Sequence, residues 1–131
     1  EQALSPQRVL DHGVAAVLGT VVDDVASGYA AAAPVIAASL ARMGGSGVLR
    51  EVYRDRHVRA VAVLVTFLTR LRRAGLTAVT DVEATATAAV VLIQGLNHPA
   101  VRTDSGGAVR DRMRTALSAL VEPPRATEGL I

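Results

Sequence analysis

Few side chains in this 131-residue chain could do chemistry. The histidines are His12, His57 and His98. No two of them stand three or four residues apart and no Glu-x-x-His occurs, so no helical pair of metal ligands is available. His12 reads as a surface residue and His98 as a helix-end residue. His57 differs because it falls in an apolar stripe, where it is first a core or boundary histidine and second a ligand contact. Asp23 and Asp24 are adjacent carboxylates, but neighbours on a helix point about 100° apart and cannot share one proton. They read as a solvated helix end. Gly44-Gly45-Ser46-Gly47 lacks the Gly-Lys-Ser/Thr ending of a phosphate loop and reads as a flexible link. Gln94 is the polar residue most out of place, inside the apolar run Ala88–Leu96; a buried amide there needs a partner on another helix, a second subunit or a ligand. No nucleophile arrangement is identifiable. An enzyme, a metal site and a cofactor are therefore not expected.

Composition narrows the classes further. All 14 basic residues are arginine, against 12 acids, and cysteine is absent. That removes disulfide frameworks, zinc fingers, iron–sulfur clusters and thiol nucleophiles. The isoelectric point near 9.9 suggests nucleic acid. It follows instead from the absence of lysine, because arginine does not titrate below about pH 12 and a small excess is held until the tyrosines ionise. Ala and Val supply 44 of the 66 apolar residues, and only Tyr29, Tyr53 and Phe67 are aromatic. Modules that stack bases on aromatic faces are thereby disfavoured.

The elements that must position these residues read as helices. Ser5-Pro6 starts one over about 6–27, with Leu10, Val14, Val17, Leu18, Val21 and Val25 inward and Gly28 as its stop. Pro34 opens a second, to about Met43. Val48 to Ala74 is the longest periodic segment. Its stripe runs Leu49, Tyr53, His57, Ala60, Leu64, Phe67 or Leu68, and Leu71, with a second of Val58, Val61, Val65 and Leu68, so its middle is expected to be buried on more than one side. A strand over Val58–Leu68 is the rival reading; length and missing turn signals favour helix. Gly75 ends it. Thr80-Asp81-Val82-Glu83 has the form of a capping box ahead of a helix to about Asn97. Ala84, Ala88 and Gly95 make a small-residue face on it. A last helix, about 108–121, carries Val109, Met113, Ala116, Leu117 and Leu120, and Pro123-Pro124 stops it. The whole is all-α, about five helices in one domain. The arginines concentrate in residues 42–73, which sum to +6. With Glu51 and Asp55 nearby, part of that run reads as intrahelical pairing on a solvated face. The longest uncharged stretches, Val25–Ala41 and Ala84–Val101, are too weakly apolar for a bilayer.

Residues 66–120 resemble the C-terminal half of TetR-family transcriptional regulators. The order that carries the resemblance is a helix ending Leu71-Arg72-Arg73-Ala74-Gly75-Leu76, a short linker, Asp81 at a helix start, an Ala-rich apolar helix ending near Gly95-Leu96, a loop, and an amphipathic helix before prolines. The resemblance implies an antiparallel helical bundle that senses an effector and forms a homodimer through its last two long helices. The residues it places at the dimer interface are Ala84, Ala88, Val91, Leu92, Gly95, Val109, Met113 and Leu117. It puts an effector pocket near Met43, Tyr53, His57 and Phe67; Gln94 joins these candidates as the amide in need of a partner, and the Val, Leu and Ala wall suits a small, mainly apolar effector. The family's N-terminal helix-turn-helix is not in these residues. DNA would be met only through such a part, so the chain reads as a cytoplasmic sensor domain with no membrane partner. Two other classes stay open: a helical-bundle enzyme or cofactor carrier, and a structural interaction bundle without a ligand.

Overall fold

A computed structural model describes residues 4–43 and 47–122, with side-chain positions omitted for 33, 36–37, 39–43 and 48–50. The fold is all-α. Among the described residues there are six helices: α1 (Pro6–His12), α2 (Val14–Met43), α3 (Gly47–Arg73), α4 (Val82–Gln94), α5 (Pro99–Arg102) and α6 (Ala108–Val121). A 3-10 turn, Gly95–Asn97, extends α4. Helix α3 lies along α4, α6 crosses α2 and touches α4, and the 3-10 turn seats on α2.

Local chemistry sets most of the helix ends. The Ser5 hydroxyl accepts from Arg8 N–H, and Pro6 takes the first helical position, where a missing N–H costs nothing. Helix α3 stops in a Schellman turn: Leu76 N–H donates to Leu71 C=O and Gly75 N–H to Arg72 C=O. Gly75 holds φ +71°, the left-handed conformation this turn demands. Helix α4 is capped one residue later than the Thr80 capping box implies. The Asp81 carboxylate, not the Thr80 hydroxyl, accepts from Ala84 N–H at 3.0 Å. It also places a negative charge at the positive end of the helix dipole.

The N-terminal third differs most from expectation. The chain breaks at Gly13, which has φ +85°, and then runs as one helix through both Gly28 and Pro34 to Met43. The break resets the register, so Val9 is buried and Leu10 is 61% exposed. Val14, Val17, Leu18 and Val22 then line the core. Asp23 is consequently mid-helix, paired with Arg114 of α6 rather than at a solvated end. In α3 the second stripe is only partly used: Val61 and Val65 are half-buried, while Val58 is 60% exposed. One side of α3 therefore faces solvent. The glycine run at 44–46 and the prolines at 123–124 lie outside the described residues.

One described stretch, Val14–Ala32, is long and apolar enough by length and composition to cross a membrane, with mean hydropathy 1.3. It is neither of the uncharged stretches singled out in the sequence. In this fold it supplies core valines and Leu18, and it carries Asp23 in the ion pair with Arg114.

Candidate functional site

Three helices present one face each to a common cleft. From α2 come Val21, Val25 and Tyr29, each four residues from the last. From α3 come Arg56, Ala60, Val63 and Leu64, and from α4 Val90, Ile93 and Gln94. These spacings are those of single helix faces. Leu4 also lines it. The apolar half of the cleft has a volume of about 330 Å³. It shares Tyr29, Arg56 and Gln94 with a polar half of about 460 Å³, which adds Tyr53, Arg54, His57 and Asn97. An aliphatic floor with a few convergent polar groups is the usual make-up of a small-molecule site.

The polar rim is tied together across α3 and α4. His57 Nδ1 lies 3.3 Å from the amide oxygen of Gln94, which accepts when Nδ1 carries the imidazole proton. Gln94 is thus on the exposed rim rather than inside the core, and its partner is a side chain of the neighbouring helix. Tyr29 is half-buried. Burial pushes its phenol above the ordinary value of 10.0; nearby Tyr53 acts in the same direction, and Arg56 opposes both.

The residues expected to form a pocket divide. Tyr53, His57 and Gln94 come together in the polar half. Phe67 does not join them. It is 2% exposed and built into the core, and it lines a neighbouring cleft of about 210 Å³ that shares Leu4 and Val63 with the apolar half. The Met43 side chain lies outside the described residues. Tyr29, Arg56 and Asn97 were not foreseen. Val21, Val25 and Tyr29 carry a readable signal in their four-residue spacing, but a helix end placed at Gly28 cuts Tyr29 from that face.

The residues expected at a dimer interface also divide. Ala84, Ala88, Val91 and Val109 are exposed, Val91 by 57%. Leu92, Gly95 and Met113 are half-buried, and Leu117 is 1% exposed. Leu92, Met113 and Leu117 meet Val22, Ile93 and Leu96 inside one chain. A methyl group at Gly95 would come within 3.3 Å of Met113 Cε. The reason is that α6 folds back on α2 and α4, so Leu117 is part of the chain's own core and Met113 packs partly against it.

Among the described residues no three His, Asp or Glu side chains gather where they could hold a metal ion. Comparison with protein-family models, characterised proteins and solved structures finds no match.

Proposed function

We propose that this chain is the effector-binding and dimerising region of a TetR-like transcriptional regulator, sensing a mainly apolar small molecule in the cytoplasm. The observation that carries the reading is the cleft between α2, α3 and α4, aliphatic along its floor and polar at one rim. A ligand seated there touches three helices at once. Its binding energy is then available to favour one relative placement of those helices over another. In a regulator of this kind that placement sets the separation of two DNA-reading heads, which must match half-site spacing. No catalytic step is assigned. The exposed small and apolar side chains Ala84, Ala88 and Val91 of α4, with Val109 of α6, supply a surface on which two copies could meet.

The reading is tested by thermal denaturation of the chain against a broad panel of hydrophobic metabolites. A ligand that binds only the folded state raises the melting temperature by linkage. At least one member of the panel is expected to do so. No shift across the panel would favour an interaction bundle without a ligand. A helix-turn-helix encoded directly upstream of Glu1 would support the family assignment.

A further inference from the structure

Resting on the ligand-sensing reading above, we infer that the occupant of this cleft is a small amphipathic carboxylate, with its apolar part between α2, α3 and α4 and its anionic head at Arg56 and Arg54. The cleft is graded in polarity. Val21, Val25, Ala60, Leu64, Val90 and Ile93 surround one half, while two guanidinium groups, two phenols and two amides gather in the other. Two of the chain's three aromatic residues meet there.

Charge decides what the polar half accepts. Neither half of the cleft is lined by an acid among the described residues. The ion pairs found among those residues belong to Arg114, with Asp23 and with Asp111. Among the described side chains the pairing of Glu51 and Asp55 with nearby arginines, expected from their spacing, is not formed, and Arg54 and Arg56 have no carboxylate partner. Both are exposed, so water solvates them in the empty cleft. A ligand that covers Arg56 removes that water. A neutral apolar molecule would leave the guanidinium desolvated and unpaired, which is costly. A carboxylate replaces the water with a two-pronged, charge-assisted pair of hydrogen bonds. Arg56 lines both halves, so it stands where the head of such a molecule meets its tail. The phenols of Tyr29 and Tyr53 offer further O–H donors beside it.

The test compares decanoate with decanol and methyl decanoate, all below the concentration at which they aggregate, by thermal shift and titration calorimetry on the chain. Decanoate is expected to raise the melting temperature and the two neutral molecules to do far less. Arg56→Gln should weaken decanoate binding at least tenfold while leaving the unliganded melting temperature unchanged, because the side chain is exposed and unpaired. Arg102→Gln, at a residue that lines neither half of the cleft, should bind as the parent does. Equal shifts with decanoate and decanol, or an undiminished shift in Arg56→Gln, would overturn the carboxylate while leaving the cleft as a ligand site. No shift with any of the three, nor with the metabolite panel, would remove both. Sedimentation with phosphatidylglycerol vesicles in place of a decanoate shift would assign the arginines of α3 to a lipid surface and also overturn the inference.

Discussion

Tyr29 concentrates the character of the cleft in one side chain. Its phenol is partly withdrawn from water, so the neutral form is favoured in the folded chain over the unfolded one. The folded state then holds the proton to higher pH. The stabilisation is complete below the ordinary value of 10.0 and is lost as pH rises through the raised folded value. Tyr29→Phe is expected to flatten that alkaline loss, measured as melting temperature between pH 8 and 11. A variant that declines as steeply as the parent would show that Tyr29 does not carry it. Gln94 shows what single residues reveal in advance. An amide within an apolar run announces that a partner is needed. Which partner depends on the register of α3 against α4, which brings His57 to it across 37 positions of sequence.

At the scale of elements, the connection between α3 and α4 is fixed by hydrogen bonds at both ends and between them. The Schellman turn at Gly75 and the Asp81 cap lie at its two ends, and between them Arg72 donates to the Thr80 carbonyl at 3.0 Å. Asp81→Ala is expected to cost about 1 kcal/mol, and Gly75→Ala, forced into positive φ, a similar or larger amount of roughly 1–2 kcal/mol. Urea denaturation measures both. These ends were legible because each rests on two or three neighbouring residues. The breaks of α2 do not follow from such local signals. Gly28 and Pro34 carry breaker chemistry, yet the helix continues through both, and it is Gly13 that turns. A glycine permits a left-handed turn without requiring it. Whether one forms is decided by packing, here the fit of Val9 and Val14 into the same core on either side of Gly13.

For the whole molecule, the all-α class was plain from periodicity, but the distribution of apolar faces was not. The stripe Met113–Leu117 looks identical in sequence whether it meets another copy or its own chain. Only the return of α6 onto α2 and α4 decides for its own chain. On the dimer reading proposed above, a second copy would meet the exposed Ala84, Ala88 and Val91 of α4 with Val109 of α6. If the dimer forms there, Val91→Arg is expected to yield a monomer by light scattering at micromolar concentration, with helical content by circular dichroism unchanged. A parent chain that is already monomeric under those conditions would discard the dimer altogether.

The Thr77 hydroxyl gives the turn between α3 and α4 a further property. Buried itself, it accepts from Val79 N–H and donates to the Glu122 carbonyl just past the end of α6. One end of the α3–α4 hairpin is therefore bolted to a third helix. The His57–Gln94 contact lies 16 residues up α3 from Arg73, roughly 24 Å away at the rise of an α-helix. That contact is a single hydrogen bond between exposed side chains, worth only about 1 kcal/mol. The hairpin is a pair of tongs with a fixed pivot and a light clasp. Each degree of rotation at the pivot moves the jaws by roughly 0.4 Å over that arm length. If α3 and α4 were to hinge about that turn, they would part most at the mouth of the cleft.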